Sequence, residues 1–348
     1  MRVVQVLCAA GPVDAVTNQA LAYRALFQRW GWTGEDYAPV QAQGIGRGAI
    51  RPLHELRPRR DELLVLHYSG YAAGIERVLS GCRRSLVVSH NITPPEYFWS
   101  SDPVEAVRCQ LARGQLAELA QAAGALAGVS EFNAAELRGA GGRDAEVIPV
   151  LFDRRALGGR DGPADGAPPT ILFVGRLVPH KRQDLVIRAF ARFRQSAPDA
   201  RLMLVGVPLS PGYAATLAAL ADRLAPGAVT FEAELTAAEL WRRYRAAHAF
   251  LCLSEHEGFC IPLLEAFHFG LPVIARDAGA VGEVVGDAGV LVDERDGPAT
   301  VAELLRIVVS DGELRGELAS RGERRLAHYD YEQTAARLRE TLTRLAAA

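Results

Sequence analysis

The chain has 348 residues, of which 49% are hydrophobic, and its 39 basic and 41 acidic residues give a formal net charge of −2. At roughly 100–200 residues per domain, this length predicts two domains, each with enough apolar residues for a core. The near-neutral charge argues against non-specific nucleic-acid binding, which requires a strongly basic face. No apolar run approaches the roughly 18 residues of a membrane-spanning helix.

The cysteines indicate a reducing compartment, because they are odd in number and lack the spacing of a metal site. Residues 1–10 form an apolar run that is shorter than a signal peptide requires, and their pattern favours a first strand. We therefore expect a cytoplasmic protein. The five cysteines are Cys8, Cys82, Cys109, Cys252 and Cys260.

The first half of the chain alternates apolar runs with helical patterns, as does a parallel sheet covered by helices. In chain order, the predicted elements are a strand at 3–7, a helix at 17–30, strands at 63–67 and 86–90, a helix at 104–126, and strands at 127–130 and 147–150. His67 and His90 stand at the ends of two of these strands. Strand ends at one edge of a parallel sheet are where ligands bind.

Residues 158–169 are rich in Gly, Pro and Asp and have no apolar period, which is typical of an interdomain linker. The alternation of strands and helices starts again at residue 171 and continues to residue 292. The sequence therefore predicts a second α/β domain after the linker, with an active site in the cleft between the two domains.

The most informative stretch runs from Glu257 to Glu265 and places two carboxylates eight positions apart around a Gly-Phe-x-x-Pro turn. It lies between a predicted strand at 249–253 and a predicted helix at 263–269. A helix N-terminus at the carboxyl end of a strand presents backbone N–H groups and a positive dipole to a phosphate. Two acids beside such an anion site are best interpreted as acceptors for sugar hydroxyls on either side of a diphosphate.

This stretch resembles the E-x7-E motif of retaining glycosyltransferase family 4, whose members have the GT-B fold. The resemblance continues in order through residues 171–181, 202–206, 239–253, 270–275 and 286–289, and it is looser over the N-terminal half.

The resemblance implies an α/β GT-B fold with two doubly wound, Rossmann-like domains facing a central cleft. Residues 1–157 would form the acceptor-binding domain, and residues 158–169 the linker. Residues 170–330 would form the nucleotide-sugar-binding domain. A C-terminal crossover helix, residues 331–348, would return to the first domain.

The same resemblance assigns roles to individual residues. Arg176 and Lys181 would bind the donor diphosphate. Glu257 would accept a hydrogen bond from a hydroxyl of the transferred sugar, and Glu265 would accept hydrogen bonds from both ribose hydroxyls. His90 matches a family position whose histidine contacts the donor sugar. The catalytic candidates are Arg176, Lys181, Glu257 and His90. The donor-binding candidates are Gly11, Gly175, Arg176, Lys181, Glu257, Gly258, Phe259, Cys260, Ile261, Pro262, Leu263 and Glu265.

The loop after the first strand departs from the family pattern, because the family often has a Gly-Gly pair where this chain has only Gly11. Asp14, Thr17 and Asn18 follow it, and they fit either acceptor recognition or the cap of the first helix. His67 fits either acceptor binding or a structural hydrogen bond. The acceptor-binding candidates are therefore Asp14, Thr17, Asn18 and His67.

No Asp-x-Asp pair follows a predicted strand, so we expect no metal and no other cofactor, with Arg176 and Lys181 serving in its place. The basic clusters fit either solvated surface or attraction to the inner face of a membrane or a lipid-linked acceptor. They are Arg51, Arg57, Arg59 and Arg60, and Arg242, Arg243 and Arg245.

The predicted function is transfer of a hexosyl group from a UDP- or GDP-sugar to a hydroxyl of a saccharide, lipid-linked or small-metabolite acceptor. The mechanism would be metal-independent front-side substitution with retention of configuration. A nucleotide-sugar epimerase, a sugar phosphorylase and a non-catalytic nucleotide-sugar binding subunit remain alternatives. The sequence leaves open the donor base, the acceptor, the oligomeric state and any membrane contact.

Overall fold

A computed structural model describes residues 1–12, 14–42, 44, 49–57, 59, 62–82, 84–141, 143–164 and 166–347. The chain divides into two compact units. Unit 1 contains Met1–Leu151 and Tyr329–Ala348, and unit 2 contains Phe152–His328. Each unit is a parallel sheet with helices packed on it, which confirms the predicted α/β class.

Unit 1 contains a seven-stranded parallel sheet. In sheet order its strands are β3 (Arg51–Pro52), β2 (Asp36–Ala38), β1 (Val3–Leu7), β4 (Leu63–Tyr68), β5 (Ser85–Ser89), β6 (Ala125–Gly128) and β7 (Glu146–Val147). The helices between them are α1 (Ala15–Arg29), α2 (Ile75–Ser80), α3 (Pro103–Ala122) and α4 (Glu131–Gly141). The strand order reverses between β1 and β4, which is where a doubly wound sheet opens a ligand crevice.

Unit 2 contains a six-stranded parallel sheet. In sheet order its strands are β10 (Val229–Glu232), β9 (Arg201–Val205), β8 (Thr170–Val174), β11 (Ala249–Cys252), β12 (Val273–Arg276) and β13 (Val290–Val292). Its helices are α5 (Gln183–Phe193), α6 (Pro211–Leu224), α7 (Ala237–Ala246), α8 (Ile261–His268), α9 (Val281–Val285), α10 (Pro298–Ser310) and α11 (Gly312–Leu326). Its reversal point lies between β8 and β11.

The last helix, α12 (Tyr331–Ala347), belongs to unit 1. Thr341 donates a hydrogen bond of 2.7 Å to Glu146, which lies on β7. Near the other end of the helix, Glu332 forms an ion pair with Arg29 of α1 at 3.3 Å. The helix is therefore attached to unit 1 at two separate places.

The central strands are buried on both faces, and this explains their nearly continuous apolar sequences. All five residues of β1 are buried, with Val4 and Val6 in one hydrophobic cluster and Leu7 in another. Gln5 is the polar exception and is completely buried. A polar side chain in such a position requires hydrogen-bond partners.

The predicted bounds of three elements in unit 1 are wrong. The helix predicted at 104–126 ends at Ala122, because Ala123 adopts an extended conformation and β6 begins at Ala125. Ala/Leu-rich sequence suits a helix and a buried strand equally well, so the pattern could not locate the change. The strand predicted at 127–130 is placed two residues too late, because β6 ends at Gly128. Of the strand predicted at 147–150, only Val147 lies in a strand, β7.

All five cysteines are buried free thiols. Within the described residues, no helix is long and apolar enough to cross a membrane.

Candidate functional site

The reversal point of unit 2 brings two loops together at the carboxyl ends of β8 and β11. The loop after β8 begins at Gly175, whose N–H donates to Val205 at 2.9 Å. A Cβ atom on Gly206 would lie 1.9 Å from the carbonyl oxygen of Gly175, so only glycine fits there. This contact holds the first residues after β8 firmly against the neighbouring strand end.

Lys181 and Glu257 form an ion pair across the two loops. Lys181 Nζ lies 2.6 Å from Glu257 Oε1, and Ser254 Oγ donates to the same oxygen at 2.8 Å. The lysine side chain is 18% exposed and the glutamate side chain 9%. Burial alone lowers the pKa of Lys181, but the charge of Glu257 outweighs it and the pKa is raised. The ammonium group therefore stays charged and has two further N–H groups for a ligand.

The backbone of Glu257 is fixed from a third side. Its carbonyl oxygen accepts a hydrogen bond of 2.9 Å from the N–H of Ala280. Gly279, with φ +60°, passes so close that a Cβ atom would lie 2.3 Å from that oxygen. The carboxylate is therefore pre-positioned by three different segments of unit 2.

Helix α8 begins directly after this loop. Cys260 precedes it in the left-handed region, with φ 73°, and Pro262 occupies the first turn. No side chain among the described residues caps the helix. Its first backbone N–H groups and the positive end of its dipole thus lie next to Gly258 and Phe259, at the end of the loop that carries Glu257.

Two thiols lie beside the same carboxylate. The sulfur atoms of Cys252 and Cys260 are 4.0 Å apart, and with a carboxylate oxygen of Glu257 they form a group of potential ligands within 4.8 Å of one another. Such a set suits a soft cation. Lys181 already supplies a positive charge to this carboxylate. Metal-independent binding of the donor stays a prediction.

Glu265 lies in α8 and forms a hydrogen bond with α7. The hydroxyl of Tyr244 donates to Glu265 Oε2 at 2.6 Å, and the tyrosine ring stacks on Phe269. Glu265 is half-buried, and burial raises its pKa to about 7, while the bond from Tyr244 opposes that rise. A carboxyl group with such a pKa is typical of a ligand site.

Two arginines near the β8 loop differ in what they bind. Arg182 is paired with Asp184 at 3.0 Å and with Glu255, which also binds Arg276. Arg176 is exposed and forms no ion pair with any described residue. Arg176 is therefore the guanidinium that is available to a ligand.

In unit 1, the residues after β1 cap helix α1. Asp14 Oδ2 accepts hydrogen bonds of 2.7 Å from both the N–H and the hydroxyl of Thr17, and the N–H of Gly11 donates to that hydroxyl at 3.0 Å. The capping alternative is thus observed. The side chain of Asn18 is exposed, and acceptor binding by Asp14, Thr17 and Asn18 stays a prediction.

His67 and His90 form a pair. Nδ1 of His67 lies 3.0 Å from Nε2 of His90, and Nε2 of His67 lies 2.9 Å from Gln5. Burial lowers the pKa of His90 to about 4 and that of His67 well below its usual value. His90 is partly exposed, whereas His67 is fully buried with both ring nitrogens hydrogen-bonded. Acceptor binding by His67 and contact of His90 with the donor sugar stay predictions.

Sequence reasoning assigned no role to Gln5, Tyr244 or Ser254. Gln5 could have been noticed, because it is the one polar residue in the apolar run Val-Val-Gln-Val-Leu. The amphipathic pattern of α7 could have placed Tyr244 on its buried side, but its partner Glu265 lies 21 residues further on.

Comparison with known proteins gives a family match that lies within unit 2. Residues 160–325 match the family described as "Glycosyl transferases group 1". The D-inositol 3-phosphate glycosyltransferase of Thermobispora bispora is 36% identical over 204 residues, which cover 56% of this chain and 46% of the relative. That of Geodermatophilus obscurus is 36% identical over 194 residues, covering 52% and 41%. The chain spans less than half the length of these relatives.

Solved structures match nearly the whole chain at low sequence identity. HepE of Anabaena, solved in complex with UDP and glucose, has a TM-score of 0.72 and 19% identity, covering 98% of this chain and 99% of its own. WaaG, a glycosyltransferase involved in lipopolysaccharide biosynthesis, has a TM-score of 0.74 and 16% identity with the same coverage. The likeness of fold therefore includes both units.

Proposed function

We propose that this chain, whose residues 160–325 form a domain of the glycosyl transferases group 1 family, is a retaining glycosyltransferase that uses a nucleotide-diphosphate sugar. The family match and the fold together confirm the predicted resemblance to GT-B glycosyltransferases. The observation that carries the proposal is the buried Lys181–Glu257 pair beside the N-terminus of α8, with Glu265 further along the same helix.

The positive groups of this site fit the leaving diphosphate. Lys181 keeps two N–H groups for phosphate oxygens, and Arg176, which follows β8 in the same loop, forms no ion pair with any described residue. The N-terminus of α8 adds backbone N–H groups. These groups stabilise negative charge that develops as the bond to the anomeric carbon breaks, so none of them has to transfer a proton.

Glu257 fits the transferred sugar. Lys181 and Ser254 both bind its Oε1 atom, so they orient the carboxylate and leave Oε2 for a sugar hydroxyl. Ala280 holds its backbone. A hydroxyl group bound to such a fixed carboxylate orients the sugar ring for attack.

Glu265 fits the ribose of the nucleotide. A carboxylate can accept hydrogen bonds from two neighbouring hydroxyl groups, and a ligand with such a pair favours the ionised form. Tyr244 orients one oxygen of Glu265 from the opposite side.

The proposed reaction breaks the bond between the anomeric carbon and the β-phosphate oxygen and forms a bond to the acceptor oxygen on the same face. The leaving phosphate accepts the acceptor's proton, and the transition state resembles an oxocarbenium ion. His90 remains a predicted contact of the donor sugar. Metal is not required, because Lys181 and Arg176 supply the positive charge.

The comparisons suggest which ligands to test first. HepE was solved with UDP, glucose and UDP-glucose, so UDP-sugars come before GDP-sugars. The relatives are named for an inositol phosphate acceptor, so a phosphorylated cyclitol joins the saccharide and lipid-linked acceptors as a candidate. A cytoplasmic location with contact at the inner face of a membrane remains part of the proposal.

The first experiment measures thermal unfolding with UDP, GDP, ADP and NAD, each in the presence of EDTA. A ligand at about 100 times its Kd adds about 2.7 kcal/mol to the free energy of unfolding. We expect one nucleoside diphosphate to stabilise the wild type and the Glu283→Ala variant, a half-buried carboxylate of α9, but not Glu265→Ala. Stabilisation by NAD alone, or by none of them, contradicts the proposal.

The second experiment follows transfer by NMR of the anomeric proton. An α-linked donor should give an α-linked product, and an inverted product rules out the proposed mechanism. Donor consumption without an acceptor would favour an epimerase, and formation of a sugar phosphate from a glycan would favour a phosphorylase.

A further inference from the structure

A chain of buried polar side chains runs through unit 1 and ends at His90. Arg24 Nη2 lies 2.6 Å from Asp36 Oδ1, and Gln5 Nε2 donates to the same oxygen at 2.8 Å. Gln5 Oε1 lies 2.9 Å from His67 Nε2, and His67 Nδ1 lies 3.0 Å from His90 Nε2. Gln5 and His67 are completely buried, and Asp36 is 3% exposed.

The orientation of the Gln5 amide is determined by a backbone group. Gln5 Nε2 lies 2.9 Å from the carbonyl oxygen of Ala20, which can only accept a hydrogen bond. The amide nitrogen therefore points to Ala20 and Asp36, and the amide oxygen points to His67. Since that oxygen can only accept, Nε2 of His67 must carry the hydrogen.

The same reasoning determines the tautomer of His90. Burial and the neighbouring His90 lower the pKa of His67, so its ring is neutral and has a single N–H, at Nε2. Nδ1 of His67 must then accept, and the donor is the Nε2–H of His90. In neutral His90 the remaining nitrogen, Nδ1, carries a lone pair, and no described residue forms a hydrogen bond with it.

We infer that Gln5 is a positioning residue: through His67 it holds His90 in the Nε2–H tautomer, so that His90 meets a ligand as a hydrogen-bond acceptor at Nδ1. The ligand group that fits is a sugar hydroxyl, and this identification rests on the proposed function. The tautomers themselves are a property of the free protein. Arg24 and Asp36 extend this series of hydrogen bonds and keep the Gln5 amide from rotating.

The wild-type protein tests the inference directly. Long-range ¹H–¹⁵N spectra of ligand-free, histidine-labelled protein distinguish a protonated imidazole nitrogen from one with a lone pair, and the chain has only eight histidines to assign. His67→Asn and His90→Asn variants assign the signals. We expect both histidines to carry hydrogen at Nε2, and a hydrogen at Nδ1 of either neutral ring overturns the inference.

The Gln5→Met variant removes the acceptor for His67 with little change in side-chain shape. We expect the tautomers of both histidines to shift towards Nδ1–H. Gln19→Met is the matched control, because Gln19 is also buried in unit 1. Its side chain hydrogen-bonds the backbone of Leu151 at 2.8 and 3.0 Å and is not part of the hydrogen-bonded series that ends at His90. Unchanged histidine tautomers in a folded Gln5→Met protein contradict the inference.

A conservative variant at the same position keeps the inference testable if the Gln5→Met protein does not fold. In Gln5→Glu, burial keeps the carboxyl group neutral, so that it can donate to Asp36 and accept from His67. We expect the wild-type tautomers to return in this variant. Transfer activity should fall at least about tenfold in Gln5→Met, recover in Gln5→Glu and stay within about twofold in Gln19→Met. If no sugar is transferred at all, the proposed function fails while the tautomer test remains valid.

Discussion

The hydroxyl of Tyr244 donates a hydrogen bond of 2.6 Å to Oε2 of Glu265. The tyrosine lies on α7 and the glutamate on α8. Burial raises the pKa of Glu265 to about 7 and the tyrosine hydrogen bond opposes the rise. The carboxyl group of Glu265 therefore gains or loses its proton near neutral pH.

Binding of a UDP-sugar should weaken as the pH falls from 8 to 6, because Glu265 becomes protonated and accepts hydrogen bonds from ribose less well. In Tyr244→Phe the ionised form loses a hydrogen bond, so the midpoint of this decrease should move up by about one pH unit. Titration calorimetry with a UDP-sugar, whose diphosphate does not titrate in this range, measures it. Tyr213→Phe, which removes a hydrogen bond of 3.2 Å to Gln183, should leave the midpoint unchanged.

Glu265 should destabilise the ligand-free protein at high pH. Its pKa is about 7 in the folded state against 4.5 in the unfolded chain, so the folded state binds more protons between these values. Stability from this group is therefore lost as the pH rises from about 4.5 to 7, by on the order of 1–3 kcal/mol. The Glu265→Gln variant should unfold at a higher temperature than wild type at pH 8 and at a similar temperature at pH 4.

A matched substitution separates this effect from simple removal of a charge. Glu283→Gln changes another half-buried carboxyl group of unit 2, outside the bond to Tyr244. If Glu265→Gln and Glu283→Gln changed the unfolding temperature equally at pH 8, the explanation from the raised pKa of Glu265 would be wrong.

Loss of Lys181 should affect both turnover and stability. Lys181→Met removes a contact to the leaving diphosphate, so turnover should fall by about 10²-fold or more. It also leaves Glu257 buried without its cation, which costs about 3–5 kcal/mol. The double variant Lys181→Met/Glu257→Gln should recover much of this stability but none of the turnover. Near-normal turnover in Lys181→Met would remove the lysine from the mechanism.

At position 260, a glycine substitution should give a more stable protein than an alanine substitution, which is the reverse of the usual order. Its φ of 73° is accessible to glycine without strain, whereas any side chain with a Cβ atom is strained by about 1 kcal/mol. We expect Cys260→Gly to unfold at a higher denaturant concentration than Cys260→Ala. At Cys252, in the extended strand β11, the order should be the normal one, with Ala above Gly. The same order at both positions would contradict the strain at Cys260.

The sequence predicted what local patterns determine. The apolar run 3–7 coincides with β1, and the segment between a buried strand and a helix correctly located the connection from β11 to α8. Where local patterns are ambiguous, as at the end of α3, the prediction failed, because Ala and Leu are compatible with both kinds of element.

Contacts between distant residues could not be predicted. Lys181 and Glu257 are 76 positions apart, and Gln5 and His67 are 62 positions apart. The motif resemblance indicated roles for Lys181 and Glu257, but not that they pair with each other in the free protein. Gln5 had only its polarity as a signal, since its partners become visible once β1, β2 and β4 are aligned in one sheet.

The position of α12 determines the order in which the units can be completed on the ribosome. All of unit 2 is synthesised before Tyr331 emerges, yet α12 packs in unit 1, against residues near Arg29 and Glu146. Unit 1 begins first and is completed last, while unit 2 can fold without waiting for any later residue. A nascent chain that has emerged from the ribosome up to residue 328 should therefore carry a complete second unit and a first unit that still lacks one of its helices.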